Sequence, residues 1–240
     1  MRADPATTGF WQTSGMQHTD ALARLWPASA VRARAGDLEL RWIDDELLLQ
    51  LAELAGRGIH SPDAMPFEHP WTRGTADEVA RSVLTYQWSQ RGSVSPEAFV
   101  LEFAVLHEGV PVGLQALTAK DWTVLRSVQS GSWLGREHQG QGIGSRMRAL
   151  VLHLAFEGFG AVEATSGAFA DNAPSNAVSR RLGYESDGSE RVAREGEAVP
   201  HNRYRMTRER WESLRPAHAA LLGAPVELAG VEAIRTPLGP

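Results

Sequence analysis

The 240-residue sequence contains no cysteine. Disulfide bonds, thiolate zinc sites and cysteine nucleophiles are therefore excluded, and the absence fits a reducing compartment. Long apolar runs are also missing. The first thirty residues hold no continuous apolar segment like that of a secretory signal, and no stretch approaches the roughly 18 apolar residues of a membrane span. These absences predict a cytoplasmic protein with no membrane partner.

Basic residues are scarce relative to acidic ones. The chain carries 24 Lys and Arg against 29 Asp and Glu, a formal net charge of -5, and its pI is near 5.9. A nucleic-acid-binding domain usually shows a basic footprint, so we expect no nucleic-acid partner. Hydrophobic residues make up 42% of the sequence and charged residues 22%, which is ordinary globular usage and enough for a sizeable core.

The chain divides into three segments by composition. We predict an N-terminal extension over 1–35, a folded domain over 36–214 and a C-terminal tail over 215–240 with weak strand character from Val226 to Ile234. Strands and helices are mixed along the folded domain, which indicates the α/β (α+β) class. The predicted strands cover 38–42, 99–106, 110–117, 123–134, 162–166 and 202–207, and another opens at 183–184; the predicted helices cover 47–54, 76–91, 145–157 and 172–181.

A glycine-rich turn joins the strand that ends at Leu134 to the helix predicted from Ser145. Its glycines, Gly140, Gly142 and Gly144, allow backbone N–H groups to converge because no side chains intervene. The helix N-terminus adds free N–H groups and a partial positive charge. The pattern therefore predicts a phosphate-bearing ligand at this turn.

The spacing of the turn narrows the kind of phosphate ligand. No lysine follows the glycines, as the mononucleotide P-loop requires, and Ser145 stands where the dinucleotide fingerprint needs its third glycine. The mononucleotide and dinucleotide interpretations of this turn are therefore both weak. Gln139, Gly142 and Gly144 fit the pattern Q-x-x-G-x-G, which is similar to the coenzyme A pyrophosphate loop of the GNAT superfamily.

Two further segments make the resemblance specific. Residues 133–144 (WLGREHQGQGIG) resemble the strand and loop of the RimJ/RimL-like branch of GNAT N-acyltransferases. The N-x-x-S of Asn172 and Ser175, followed by the Leu-Gly-Tyr of residues 182–184, is similar to downstream motifs of that branch. The three motifs occur in the family's order and separation, and the resemblance covers roughly 36–210.

The resemblance implies a fold and a function. The fold would be the GNAT fold, a mixed, mostly antiparallel, twisted sheet of six to seven strands with about four helices, splayed at the coenzyme A site. The function would be acyl transfer from acetyl-CoA or another acyl-CoA to an amine of a small molecule or a protein N-terminus, without a metal. Relatives are often oligomers, so a homo-oligomer is a possible assembly. The alternatives are a succinyl-CoA-dependent acyltransferase and a catalytically weak acyl-CoA-binding regulatory module.

The resemblance also assigns candidate site residues. Main-chain groups of Trp133 and Leu134 would bind pantetheine, and Asn172 would contact it. Ser175 would donate a proton to the leaving sulfur, directly or through water. The predicted coenzyme A contacts are Trp133, Leu134, Gln139, Gly140, Gln141, Gly142, Ile143, Gly144, Ser145, Asn172 and Ser175.

The sequence differs from the family at the residue that is expected to remove a proton from the acceptor amine. Relatives often carry a glutamate at the position of Gln129, and an amide cannot take a proton. Glu102, His107, Asp121 or a water relay are the alternatives, and Gln129 also keeps the binding-only module open.

The acceptor pocket is expected beside the long loop over 56–75. Its aromatic side chains, Phe67, His69 and Trp71, would either form the pocket wall or pin the loop to the core. A succinyl donor would need a cation for its free carboxylate, and Arg57, Arg73 and Arg126 are the residues available to supply it.

Overall fold

The computed structural model describes residues 21–232 and centres on one nine-stranded sheet. The strand order is β7-β8-β6-β5-β4-β3-β2-β1-β9, and every neighbouring pair is antiparallel except β5 and β6, which are parallel. The strands are β1 (Arg32–Ala35), β2 (Leu38–Trp42), β3 (Phe99–His107), β4 (Val110–Ala119), β5 (Ser127–Leu134), β6 (Glu163–Phe169), β7 (Glu185–Arg194), β8 (Glu197–Thr207) and β9 (Val226–Ala229).

Helices cover both faces of the sheet. A helical segment over residues 21–25 is α1. The others are α2 (Asp45–Gly56), α3 (Ala76–Gln90), the short α4 (Trp122–Leu125), α5 (Ile143–His153), α6 (Ala173–Arg181) and α7 (Arg208–Leu222), and a π-helical segment (Leu154–Phe159) continues α5. Side-chain caps start several of them: Asp44 accepts a hydrogen bond from the Leu47 N–H, and Thr75 with Glu78 forms a capping box.

The two faces of the sheet build two hydrophobic clusters. Alternate residues of a strand point to opposite faces, so Phe103 and Val105 of β3 join the cluster under α5 and α7, while Ala104 and Leu106 join the cluster under α2 and α3. We call these sides the α5 face and the α3 face. The site described below lies where the sheet opens between them.

The α/β class and the glycine-turn helix are confirmed, but several element boundaries were wrong and α7, which begins before the predicted tail, was not expected. The predicted strand over 123–134 is shorter, because residues 122–125 form the helical turn α4 and β5 starts at Ser127. Asp121 and Arg126, at the two ends of that turn, have φ of 48° and 49°, a left-handed conformation that breaks an extended run. Helix α5 starts at Ile143, two residues before the predicted start.

The sheet has nine strands where six to seven were expected. The additional edge comes from β1 and β9, which pair antiparallel with each other, Arg32 opposite Ala229. Val31, Ala33 and Ala35 are buried there. Residues that the composition assigned to an extension and a tail therefore contribute to the sheet, whereas 1–20 and 233–240, including the end of the predicted tail strand, lie outside the described residues.

Candidate active site

The two parallel strands of the sheet separate partway along their length. β5 and β6 pair at Ser127 with Glu163, Val128 with Ala164 and Gln129 with Thr165, and no pair between them follows in the described chain. β5 itself continues to Leu134, paired with β4. Backbone groups on the inner edges of both strands are therefore left for another partner. This opening, which we call the gap, confirms the predicted splay.

The glycine turn lies at the end of β5, beside the gap. Gly140 and Gly142 have φ of 74° and 81°, in the left-handed region that glycine adopts without strain. No atom of residues 21–232 would lie within 4 Å of a Cβ added at either position. Across the same range, no hydrogen bond is donated by the N–H groups of 140–144. The turn is thus an open cradle of N–H donors at the start of α5, suited to a diphosphate.

Side chains of residues 139–145 stabilise the conformation of this turn through hydrogen bonds and packing. The Gln139 amide donates to the Leu134 carbonyl at 2.9 Å and to the Ile59 carbonyl at 2.7 Å, which ties the turn to β5 and to the 56–75 loop. The Gln141 amide donates to the Glu137 carbonyl at 2.8 Å. Ile143 and Ser145 are buried beneath the turn. The turn therefore offers backbone groups, while these four side chains fix its shape or pack beneath it.

Helix α6 flanks the turn on its other side. Asn172 caps the helix by accepting a hydrogen bond from the Ser175 N–H at 3.2 Å. A Cβ at Gly144 would lie 3.8 Å from the Val178 side chain, so α6 and the turn are in contact. The Ser175 side chain is half-buried, and its hydroxyl makes no hydrogen bond within the described part of the chain. Asn172 and Ser175 thus lie at the N-terminal end of a helix that contacts the turn through Val178.

A buried cation that the sequence reasoning missed bridges the gap on the α5 face. Arg148 of α5 is 4% exposed. Its Nη1 donates to the Ser166 hydroxyl of β6 at 2.8 Å, and its Nη2 donates to the Ser132 hydroxyl of β5 at 3.2 Å. Both serines lie beyond the last β5–β6 pair. The guanidinium therefore acts as a strut between the two separated strands.

We expect Arg148→Met to weaken coenzyme A binding about tenfold and to change the unfolding free energy by less than about 2 kcal/mol. Replacing a buried charge by an apolar side chain of similar length removes a desolvation cost, which offsets the two lost hydrogen bonds. Calorimetric titration with coenzyme A and urea unfolding measure the two quantities. Unchanged affinity would show that the strut does not set the width of the gap.

A pocket of about 630 Å³ borders the paired segment of β5 and β6, next to the closed end of the gap. Gln129 and Thr165, the last paired residues before the gap, contribute to its wall together with Val100, Thr118 and the segment after α3. Gly131, two residues further along β5, is exposed, and a Cβ there would have no described atom within 4 Å. The pocket has the size of a small-ligand site, and its lining includes residues that point to the α3 face as well as Phe99 and Val128 of the other cluster.

Of the three sequence candidates for a proton acceptor, Glu102 points to the α3 face of the sheet. It lies opposite Ala116 of β4, which lies opposite Gly131 of β5. Burial raises the pKa of Glu102 to about 7. The Gln87 amide and the Tyr86 hydroxyl both donate to its carboxylate.

His107 and Asp121 have other surroundings. His107 lies 3.0 Å from the Asp37 carboxylate, which also accepts from Arg146, and that guanidinium holds the pKa of Asp37 below its usual range. Asp121 is exposed at the left-handed start of α4. Neither residue shares the row of Glu102, Ala116 and Gly131.

Phe67 and Trp71 of the 56–75 loop form a cluster of tilted aromatic rings with Trp133 of β5. Ring centroids are 5.1 Å apart for Phe67 and Trp71 and 6.2 Å apart for Trp71 and Trp133. Phe67, Trp71 and Trp133 pack against the α3-face cluster, whereas His69 is exposed. This aromatic cluster holds the loop against the end of β5, beside the gap.

The β7–β8 hairpin meets this loop at its tip. Arg73 donates two hydrogen bonds to the Glu195 carboxylate, from Nε at 2.8 Å and from Nη2 at 3.0 Å. Arg194 donates to the Met65 carbonyl at 3.1 Å and pairs with Asp171 at the end of β6. The loop on the β5 side and the hairpin on the β6 side are thus joined near the open end of the gap.

The described residues contain neither a metal-binding cluster nor a membrane-spanning helix. Within 21–232, no group of three or more His, Cys, Asp or Glu side chains is arranged to hold a metal ion. None of the helices in that range is long and apolar enough to cross a membrane.

The sequence matches the model of the acetyltransferase (GNAT) domain over residues 37–185, more than half of the chain. The chain therefore belongs to the GNAT acetyltransferase family. It is an acyl-CoA-dependent N-acetyltransferase in the broad sense of that family.

Solved structures share the fold at low sequence identity. Mycobacterium smegmatis RimJ, in complex with CoA-disulfide, is 21% identical with a TM-score of 0.63, and the match covers 84% of this chain and 97% of that one. RimL, a ribosomal L7/L12 alpha-N-protein acetyltransferase in complex with coenzyme A, is 23% identical with a TM-score of 0.56, covering 72% and 95%. A GCN5-related N-acetyltransferase from Brucella melitensis is 16% identical with a TM-score of 0.64, covering 85% and 94%.

Proposed function

We propose that this protein transfers an acetyl group from acetyl-CoA to a primary amine of a small molecule or a protein N-terminus by direct attack. The gap between β5 and β6 carries the proposal, because the open glycine turn lies at one end of it and the 630 Å³ pocket borders its closed end at Gln129 and Thr165. The thioester and the amine enter from different sides and meet between the strands. The acceptor includes peptides because RimL, by its name, acts on an α-amine of a ribosomal protein.

Backbone groups supply most of the coenzyme A contacts. The N–H groups of Gly140, Gly142 and Gly144 bind the diphosphate, with the positive end of α5 behind them. Main-chain groups of Trp133 and Leu134 bind pantetheine on the inner edge of β5. Because the Asn172 side-chain oxygen already caps α6, its amide nitrogen is the group that remains for pantetheine.

The reaction requires one bond to form and one to break. The amine nitrogen attacks the thioester carbonyl carbon, the carbon–sulfur bond breaks, and its electron pair stays on sulfur. A backbone N–H of β5 in the gap stabilises the oxyanion. Ser175 donates a proton to the thiolate, and Gln129, at the rim of the pocket, orients the acceptor through its amide.

Glu102 has a supporting role in this proposal. It lies about 10 Å from Gly131, two interstrand spacings away, and is covered by Gln87 and Tyr86. A carboxylate at that distance does not take a proton directly from a nitrogen in the gap. When ionised, this buried carboxylate adds a negative charge to the α3 face, which favours a cationic acceptor.

Acetyl is favoured over succinyl as the transferred group. Two of the cations that a succinyl carboxylate would need are already bound, Arg57 to Glu137 at 3.4 Å and Arg73 to Glu195 at 2.8 Å. The third, Arg126, lies over the Trp122 ring, 5.3 Å from its centroid. None of the three is directed into the gap by these contacts.

Mass spectrometry of reaction products tests the proposed function. The purified protein is offered acetyl-CoA or succinyl-CoA with a library of small amines and short peptides, and acetylated amines are expected. Succinylated products in equal or greater yield would overturn the choice of donor. Tight coenzyme A binding with no product from any amine or peptide would favour the regulatory module instead.

We expect Ser175→Ala to lower kcat about tenfold with less than a threefold change in the dissociation constant of coenzyme A. The effect is moderate because a thiolate, with a thiol pKa near 8.5, leaves without full protonation. Ser213→Ala, on the exposed side of α7, is the matched control and should keep wild-type kcat. A Ser175→Ala variant with wild-type kcat would remove this hydroxyl from the mechanism.

A further inference from the structure

Both strands lack a side chain at the level where the gap begins. Gly131 of β5 and Gly167 of β6 each lie two residues beyond the last pair, Gln129 with Thr165, and so project to the same face as that pair. Gly131 is exposed, and a Cβ on it would meet no described atom within 4 Å. The two glycines make a window between the gap and the α3 face.

One histidine covers the β6 side of this window. His201 of β8 pairs with Phe169 of β6, and their rings meet edge to face with centroids 5.2 Å apart. A Cβ added to Gly167 would overlap the His201 ring, and the His201 Nε2 lies 3.1 Å from that position. The absence of a side chain at Gly167 thus leaves the space that the imidazole occupies.

The ring is nearly buried and its second nitrogen is unpaired. The His201 side chain is 13% exposed, and its Nδ1 has no hydrogen-bond partner among residues 21–232. The Glu190 carboxylate of β7 lies 4.0 Å from that nitrogen. Arg194, the other charged group over Phe169, is already bonded to Asp171. A small movement of Glu190 would let it accept the Nδ1 proton and fix the tautomer with a free Nε2.

We propose that His201 is the catalytic base that accepts the proton of the acceptor amine, with Glu190 as its positioning residue. The inference rests on the proposed function and identifies a group that it leaves unassigned. An ammonium acceptor gives one proton to Nε2 and becomes a neutral amine with a lone pair. The amine nitrogen then attacks the thioester carbonyl carbon. Its second proton goes to the sulfur by way of Ser175, and His201 releases its proton to water.

His201 also explains how the chain functions without a glutamate at position 129. The Gln129 amide on β5 cannot accept a proton, and Glu102 lies two strands further from the gap. His201 reaches the window from the opposite strand. Neutral imidazole is a proton acceptor near physiological pH, as this role requires.

Three variants test the assignment, each assayed with an amine that the wild-type protein acetylates. His201→Gln should lower kcat at least 100-fold at pH 7 and leave coenzyme A affinity within threefold. Its residual rate should rise about tenfold per pH unit, because only the neutral fraction of the amine then reacts. Glu190→Gln should lower kcat about three- to tenfold, and Glu197→Gln, on the same hairpin, should have no effect. A His201→Gln variant with kcat within threefold of wild type and an unchanged pH profile would overturn the assignment.

A reactive analogue tests the position of His201 without any acceptor. Bromoacetyl-CoA carries an alkylating carbon at the thioester, and the His201 Nε2 should displace its bromide to form a carbon–nitrogen bond. The sequence has no cysteine to compete for the reagent. Peptide mapping by mass spectrometry should find the adduct on His201 and not on exposed His69. Alkylation only at other residues would overturn the placement, even if His201→Gln has lost its fold.

The two tests separate the inference from the function that it rests on. A wild-type protein that acetylates amines but needs no His201 and labels elsewhere refutes the inference alone. A wild-type protein that acetylates no amine refutes the proposed function and the role of His201 as its base, whichever residue is labelled.

Discussion

Gly142→Trp is expected to weaken coenzyme A binding at least 100-fold while the protein stays folded. The position is open, with no atom of the described chain within 4 Å of an added Cβ, so the indole would occupy the cradle that the diphosphate needs. The backbone there has φ of 81°, so any L-residue adds a strain of about 1–2 kcal/mol. Calorimetric titration with coenzyme A gives the affinity, and circular dichroism with a thermal melt checks the fold.

Gly109→Trp separates the filling of the cradle from the strain. Gly109 lies in the turn between β3 and β4, has the same φ of 81°, and is equally open among the described residues. The two variants should therefore lose similar stability, and Gly109→Trp should keep wild-type coenzyme A affinity. Equal affinity in the two variants would refute the assignment of the turn.

Glu102→Gln should stabilise the protein by about 3 kcal/mol at pH 8 and by less than about 1 kcal/mol at pH 4. Burial raises the pKa of Glu102 from 4.5 to about 7, which means that the folded state binds its proton more tightly than the unfolded state does. The wild-type protein therefore loses stability as the pH rises from about 4.5 to about 7, and the loss is complete above the folded pKa. A neutral glutamine avoids this loss.

Urea unfolding of both proteins at a series of pH values measures this difference. The difference in unfolding free energy should grow between pH 4.5 and 7 and then level off. Glu197→Gln, at an exposed glutamate, is the control and should show no pH-dependent difference. A difference that is the same at pH 4 and pH 8 would mean that folding does not change the pKa of Glu102 and that its hydrogen bonds compensate for its burial.

The glycine turn was predictable because its signal is local. Gly140 and Gly142 are needed for their own backbone conformation, and the helix that follows begins within two residues of the expected position. The α/β class followed from the mixture of strand and helix patterns. The opening between β5 and β6 was expected from the family resemblance and not from any residue in the strands themselves.

Other parts of the site depend on contacts between residues distant in sequence. The position of His201 beside the gap depends on the register of β8 on β6. The need for glycine at position 167 is evident only from the His201 ring that lies over it. Arg148 lies among the apolar residues of α5, and its role depends on serines from two strands. β1 and β9 were missed as sheet members because each is only four residues long.

The gap links these observations into one site with residues from both strands. In the proposed site, backbone groups of β5 and the glycine turn would hold the thioester carrier, and His201 of β8 would face the amine. Arg148 hydrogen-bonds to a serine of each strand from the α5 face. The joined 56–75 loop and β7–β8 hairpin limit how an acceptor enters near the open end. A small primary amine or the first residues of an extended peptide would fit such an approach.

A crystal structure of the protein with bound coenzyme A is the most direct measurement. The diphosphate oxygens should lie within hydrogen-bond distance of the backbone nitrogens of residues 140–144, with pantetheine between β5 and β6. A diphosphate bound at another surface, with those nitrogens still unoccupied, would contradict the account.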